Sequence, residues 1–117
     1  MKYFNYSEFD SPDVQGSGQL MDKNLLLMLD EARDKFDKPI HINSGFRTPS
    51  HNEVVGGVET SSHLKGLAVD ISCNNNSDRF DLINCLLDVG FSRIGVAKTF
   101  IHADIDFDKT QGVIWTY

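Results

Sequence analysis

The sequence predicts an α+β fold, a single domain whose central, largely antiparallel sheet is flanked by helices. The length of 117 residues and an apolar content of 40 % suit one compact core. Two stretches carry apolar residues at helical spacing. Strand-like stretches joined by short turns come late in the chain, an order that is typical of α+β domains. We therefore interpret residues 1–117 as one domain.

The first 20 residues are rich in turn formers. "SPD" runs from Ser11 to Asp13, and "GSG" runs from Gly16 to Gly18. These residues predict an irregular lead-in over residues 1–20 that lies on the surface of the domain.

A helix is predicted next, with Asp22 as its N-cap. Its apolar face comprises Leu25, Met28, Leu29, Ala32 and Phe36. "KPIHINSGFR" predicts a short strand over residues 40–43 that breaks at Gly45. "TPSHNEVVGG" predicts a short helix, because Thr48 is a suitable N-cap, Pro49 suits the first helical position and a glycine pair follows.

The stretch "GLAVDIS" alternates with period two and predicts a strand. Leu67, Val69 and Ile71 share one face, whereas Ala68, Asp70 and Ser72 share the other. "NSDRFDLINCLLDVG" then predicts a helix that Ser77 caps and Gly90 ends. The apolar stripe of this helix comprises Phe80, Ile83, Leu86 and Leu87.

Three further strands are predicted in "RIGVA", "FIHADIDF" and "GVIWTY". In the second of these, apolar and polar residues alternate. Ile101, Ala103, Ile105 and Phe107 point to one side, and His102, Asp104 and Asp106 point to the other. This strand therefore also has one apolar face and one face with side chains that can bind a metal.

The charge pattern limits the partners of the protein. The formal net charge is −6, and no basic cluster is longer than two residues. We therefore expect no binding to nucleic acid or to a membrane surface. An acidic domain can still bind a metal cation or a substrate that carries charges of both signs. The N-terminus lacks the apolar run of a signal peptide, so we expect synthesis in the cytoplasm.

Two strands with polar faces suggest a metal site. Asp70 lies on one polar face, His102 lies on the other, and His63 lies in the loop before the first strand. If the strands are neighbours, these three side chains converge. Two imidazoles and one carboxylate are a ligand set of catalytic zinc sites, in which a fourth position remains for water. The alternative is that the histidines are structural, because this spacing also arises by chance.

Three segments in order, "INSGFRTPSHNEVVGG", "SSHLKGLAVDI" and "FIHADI", resemble the D-alanyl-D-alanine carboxypeptidase family of zinc peptidases. The resemblance extends over about residues 9–106. The compact form looks most like the phage-endolysin members, and the fold of the family is shared with the hedgehog signalling domain. The resemblance implies a peptidase that hydrolyses amide bonds in peptidoglycan stem peptides, as a DD-carboxypeptidase or as an endolysin-type endopeptidase.

Carried over to this chain, the resemblance implies that His63, Asp70 and His102 bind Zn²⁺. It implies that Arg47 binds the substrate carbonyl oxygen or a carboxylate, a task that suits a permanently charged, forked guanidinium. It also implies that Ser61 contacts the substrate, although its hydroxyl could instead form a turn. Gly66 and Ala68 match positions at which small residues are expected near the metal.

One position departs from the family pattern. Well-known members carry an acidic general base three residues before the last zinc histidine, and this chain has Thr99 there. We predict that Asp104 replaces it as the catalytic base, because Asp104 and His102 leave the same face of a strand. Asp104 could instead orient His102 through the second ring nitrogen. Asp106 is a more remote candidate for the base, and Glu53 and Glu59 are others that a loop could bring in.

Two functions follow from this reading. The first is a zinc metallopeptidase, expected to be a monomer, that reaches the cell wall after phage lysis or as part of a virion. The alternative is a non-catalytic zinc-binding module that acts through a partner or the wall, and the threonine at position 99 keeps this alternative open. His41 and His51 are expected to be structural or surface residues.

Overall fold

The computed structural model describes residues 1–117 as one α+β domain, which confirms the predicted fold class. The helices are α1 (Lys23–Phe36), α2 (Pro49–Val54) and α3 (Asn76–Asp88). The strands are β1 (Ile42–Ser44), β2 (Ala68–Ser72), β3 (Arg93–Val96), β4 (Phe100–Asp104) and β5 (Val113–Thr116). Short 3₁₀ helices cover Tyr6–Phe9, Ser17–Leu20 and Ser62–Lys65. None of the helices has the length and apolar character that a membrane crossing requires.

The five strands form one sheet in the order β1-β2-β4-β3-β5. Three of the strand pairs are antiparallel, and only the β3–β5 pair is parallel. β2 and β4 are direct neighbours, with Asp70 opposite His102. The two polar strand faces predicted from the sequence therefore form one continuous surface.

The core lies between the other face of the sheet and two helices. α1 contributes Leu25, Leu26, Leu29 and Ala32, and α3 contributes Leu82 and Leu86. These side chains pack on residues of the three middle strands, namely Val69, Ile71, Ile94, Ile101 and Ala103. Because both long helices cover this apolar face, the polar face remains accessible for a functional site.

Two helix starts follow the sequence prediction. The Asp22 side chain accepts a hydrogen bond from the backbone N–H of Leu25 at 3.0 Å and caps α1. The Thr48 hydroxyl accepts one from the N–H of His51 at 3.1 Å and caps α2, and Pro49 occupies the first turn. Both caps satisfy N–H groups that the first helical turn leaves without partners.

The lead-in predicted over residues 1–20 is more ordered and more tightly anchored to the core than the sequence indicated. This segment contains two 3₁₀ helices, and Phe4 and Phe9 belong to the buried core. The Phe9 carbonyl accepts a hydrogen bond from the N–H of Phe46 at 2.9 Å. Turn-forming residues marked the bends correctly, but the two phenylalanines anchor the segment, since burying such rings is strongly favourable.

α3 differs from the prediction at its start and on its apolar face. Asn75 is the N-cap instead of Ser77, and its side chain accepts a hydrogen bond from the N–H of Asp78 at 2.8 Å. Phe80 is 70 % exposed and Leu87 is also exposed, whereas Leu82 and Leu86 are buried. Leu82 and Leu86, four residues apart, face the core because α3 packs along α1. The spacing of apolar residues in the sequence did not determine which face of α3 makes this contact.

The strand predicted in "FIHADIDF" is shorter than expected. β4 ends at Asp104, and the N–H of Ile105 makes one last hydrogen bond in the same register, to the Leu67 carbonyl at 3.0 Å. Phe107, which the alternation placed on the apolar face, is 79 % exposed. Asp106 therefore leaves the strand register of His102 and Asp104.

Candidate metal centre

Three elements bring together the side chains that the sequence singled out as metal ligands. Asp70 lies on β2 opposite His102 on β4, and His63 lies in the 3₁₀ helix that precedes β2. All three residues are buried, and one potential ligand atom from each lies within 4.8 Å of the others. The predicted convergence is therefore present in the fold.

The Asp70 carboxylate is at the centre of the group. Its Oδ1 atom lies 3.3 Å from His63 Nε2 and 2.9 Å from His102 Nδ1. The two imidazole rings are 5.4 Å apart between centroids and meet edge to face. Two ring nitrogens and one carboxylate oxygen thus face a common point, and this donor set suits a zinc ion.

The second nitrogen of each imidazole has a partner that fixes the ring. His63 Nδ1 lies 2.8 Å from the Gly45 carbonyl oxygen, which can only accept a hydrogen bond, so Nδ1 carries the hydrogen. His102 Nε2 lies 2.7 Å from Asp104 Oδ2. Each contact holds its ring and directs the other nitrogen toward Asp70. Outer partners of this kind are typical of histidines that bind metals.

Electrostatics keep the carboxylates of the group ionised. Burial disfavours the charged form of Asp70, but hydrogen bonds from His102 and His63 outweigh it and hold the pKa of this carboxyl well below its usual range. For His102, burial lowers the pKa, and the hydrogen bonds to Asp104 and Asp70 raise it by more. A metal cation that binds here competes with a proton on His102, so its affinity falls at low pH.

The turn that carries His63 depends on the residues at its two ends. Ser61 is the N-cap, and its hydroxyl accepts a hydrogen bond from the N–H of His63 at 3.3 Å. Gly66 ends the turn with φ +70°, and an added Cβ would lie 2.4 Å from the Leu20 carbonyl oxygen. Gly66 is therefore required by its backbone conformation and by this close contact, and not by proximity to the metal group.

Arg47 lies beside the group, at the edge of the cleft. One terminal nitrogen lies 3.5 Å from Asp70 Oδ2, and the other donates to Asn52 Oδ1 at 3.2 Å. The Nε atom donates to the Ser44 hydroxyl at 3.2 Å. The guanidinium is therefore held in a fixed orientation next to the metal ligands, as a residue that binds substrate oxygen requires.

Asp104 is fully buried and each of its oxygens has a partner. Oδ2 faces His102 Nε2, and Oδ1 accepts from Arg93 Nε at 2.8 Å and from the N–H of Asp106 at 3.1 Å. This geometry favours the role of Asp104 in orienting His102. The general-base role of Asp104 stays a prediction. The remaining residues that the sequence analysis discussed for a catalytic or metal-binding role do not line the cleft. They are Glu53, Glu59, Thr99, Asp106, His41 and His51.

The cleft above the group also contains residues that the sequence analysis did not identify. They are Arg93, Lys109, Trp115 and Tyr117, and Asn52 supports Arg47 from outside the cleft lining. Arg93 and Gly95 alternate with Ile94 and Val96, so the period-two pattern of β3 carried a signal for Arg93. Trp115 carried no such signal, because its position depends on the parallel pairing of β5 with β3.

A mixed sheet with a buried His–Asp–His group at the base of a polar cleft is an arrangement that suits a metal-dependent hydrolase. The peptidase M15 family model matches residues 2–104, and the chain therefore belongs to this family of zinc D-Ala-D-Ala carboxypeptidase-like enzymes. A search of curated proteins found no match. The family membership confirms the resemblance seen in the sequence and supports assignment of the chain as a metallopeptidase.

Proposed function

We propose that this protein is a zinc-dependent peptidase that hydrolyses amide bonds in peptidoglycan stem peptides. The observation that carries the proposal is the convergence of His63 Nε2, Asp70 Oδ1 and His102 Nδ1, with the second nitrogen of each imidazole already bonded. The family supplies the class of reaction, and the cleft supplies the arguments for the substrate.

The charge of the cleft favours an anionic peptide. Three cationic side chains line it, from Arg47, Arg93 and Lys109, against two carboxylates, from Asp70 and Asp104. Both carboxylates are paired with histidine or arginine. Lys109 lies 3.7 Å from Asp106, which is outside the lining, so within the cleft itself the cationic side chains outnumber the carboxylates by one and favour substrates with free carboxylates. Stem peptides of the wall carry such groups.

Apolar side chains on two sides of the cleft favour a peptide with small side chains. Val55 and Val58 come from the loop after α2, and Phe100, Trp115 and Tyr117 come from β4 and the C-terminal strand region. The Phe100 and Tyr117 rings are 5.3 Å apart. A chain that lies between these walls can bury alanine methyl groups while its polar backbone faces the metal ligands.

Three residues of the cleft have a role in the proposed reaction. Zinc would supply the Lewis acid that acidifies water and polarises the peptide carbonyl. Arg47 donates to the carbonyl oxygen as negative charge develops there, which is the usual function of preorganised donors. Asp104 holds His102. Tyr117 lines the cleft, and its phenol is protonated at neutral pH because the ordinary pKa of tyrosine is about 10, so its hydroxyl can donate a hydrogen bond to the substrate.

Mass spectrometry of digested wall material tests the proposal. Purified protein loaded with zinc is incubated with peptidoglycan, and the released fragments are compared with those from His63→Ala protein. We expect new amine and carboxyl termini within the stem peptide in the wild-type digest only. The identity of these termini distinguishes a carboxypeptidase from an endopeptidase. Digests that match those of the His63→Ala control would contradict the proposal.

A second candidate is a non-catalytic zinc module, and one observation favours it. Neither carboxylate that lines the cleft is free to accept a proton from water, because Asp70 faces the histidines and Asp104 is enclosed by its partners. Under this alternative, the zinc-loaded protein binds wall fragments without changing their mass. Co-sedimentation with peptidoglycan in the same samples would detect that binding.

A further inference from the structure

Arg93 is a partly buried cation that contacts the network around the metal group but none of its ligands. Its Nε donates to Asp104 Oδ1 at 2.8 Å, and one terminal nitrogen donates to the Thr110 carbonyl at 2.6 Å. Its side chain is only 12 % exposed. The guanidinium is therefore held at two points, and the Asp104 carboxylate is held by the guanidinium.

Trp115 covers the same guanidinium from the neighbouring strand. The Arg93 guanidinium carbon lies 5.0 Å from the centre of the Trp115 ring, a cation–π contact. The indole reaches across β3 because Gly95, opposite Trp115 in the register, has no side chain. An added Cβ at Gly95 would lie 2.8 Å from the indole. Trp115 lies beyond the residues that the family model matches.

We propose that Arg93 is a positioning residue that holds Asp104 against His102 and thereby sets the affinity of the site for zinc; this rests on the proposed function. Oδ1 of Asp104 is occupied by Arg93 and by the N–H of Asp106, so Oδ2 is directed at His102 Nε2. Without the guanidinium, Asp104 is a buried carboxylate that lacks its cationic partner. It then holds the imidazole less firmly.

A double-mutant cycle on zinc affinity tests this chain of contacts. The dissociation constant of zinc is measured by chelator competition for wild type, Arg93→Gln, Asp104→Asn and the double variant. Loss of an outer partner of a ligating histidine weakens metal binding by about 10–100-fold, which we expect for Asp104→Asn. Arg93→Gln acts one hydrogen bond further from the metal, so we expect its zinc dissociation constant to rise about 10-fold, the lower end of that range. The double variant should bind zinc as Asp104→Asn does, because Arg93 acts through Asp104.

The controls separate positioning from a general effect on the fold. Arg79→Gln also removes a guanidinium that donates to a backbone carbonyl, but it lies on α3, away from the cleft, and should leave zinc affinity unchanged. Cobalt-loaded Arg93→Gln should show a shifted visible absorption spectrum, since the ligand geometry changes, and cobalt-loaded Arg79→Gln should not. If Arg93→Gln does not fold, Arg93→Lys replaces it, because one ammonium cannot reproduce the fork.

The possible results differ in what they overturn. Zinc binding in the wild type with an equal dissociation constant in Arg93→Gln would overturn this inference and leave the proposed function intact. Losses that multiply in the double variant would also overturn it, because Arg93 would then act independently of Asp104. A wild-type protein that binds no zinc would overturn the proposed function and this inference together.

Discussion

Replacing Arg47 by lysine tests the role of the guanidinium beside the metal group. The structure shows three contacts that lysine cannot reproduce together, to Ser44 Oγ, Asn52 Oδ1 and Asp70 Oδ2. If Arg47 donates to the developing oxyanion, Arg47→Lys should lower kcat about 10²-fold, as the loss of one such donor does. Zinc content should stay near that of the wild type, because Arg47 is not a ligand.

The structure also predicts a cost in stability for this variant. Asn52 is 5 % exposed, and its Oδ1 atom loses the Arg47 donor. An unsatisfied buried acceptor costs about 1–3 kcal/mol, so the free energy of unfolding should fall by about that amount. Urea unfolding measures this loss of stability. The same unfolding curves identify conditions under which both proteins are fully folded during the activity assay.

A matched control is Arg79→Lys on α3, which changes the same side chain away from the cleft. Turnover is followed on a stem peptide whose cleavage the wild type catalyses, with zinc in excess over protein. If folded, zinc-loaded Arg47→Lys turns over as fast as the wild type, the guanidinium is structural and the assigned role is wrong.

Two further predictions concern stability. Burial raises the pKa of Asp106, but hydrogen bonds from Ser62 and Lys65 lower it by more, so ionised Asp106 stabilises the fold above the ordinary aspartate pKa of about 3.9, and this contribution is lost as pH falls through the lower folded value. The unfolding free energy of Asp106→Asn, measured in urea, should therefore fall less than that of the wild type between about pH 5 and about pH 2. Equal falls in the two proteins would contradict this. Gly66→Ala should lose about 2 kcal/mol or more in the same assay, because alanine is strained at φ +70° and meets the Leu20 backbone; an unchanged midpoint would refute it.

The sequence was sufficient to predict the parts of the site that lie on a single strand or turn. The alternation in β2 and β4 placed Asp70 and His102 on polar faces, and local caps such as Thr48 marked helix starts. These features depend on neighbours in the chain, so the pattern of residue types determines them. The pairing of β2 with β4 was a condition of the prediction, and the sheet order satisfies it.

The contacts around Asp104 depend on distant pairings, which explains why the sequence did not reveal them. Arg93 meets Asp104 across the β3–β4 pair, and Trp115 reaches them only because β5 adds to β3 in parallel. The burial of Phe9 similarly depends on packing against the backbone near Gly45. The hydrophobic period and the residue propensities describe local structure, and they do not predict such long-range contacts.

Zinc stoichiometry is the most direct test of the central claim, that His63, Asp70 and His102 form one zinc site. The protein is purified without chelators, and its metal content is measured by elemental analysis beside His63→Ala, Asp70→Ala and His102→Ala. We predict one zinc per chain in the wild type, release by a chelator with recovery on added zinc, and loss of zinc in each variant, with the His41→Ala control unchanged. A wild-type protein that holds less than about a tenth of an equivalent and does not reload with zinc would contradict the account, since a complete ligand set of this kind binds zinc tightly.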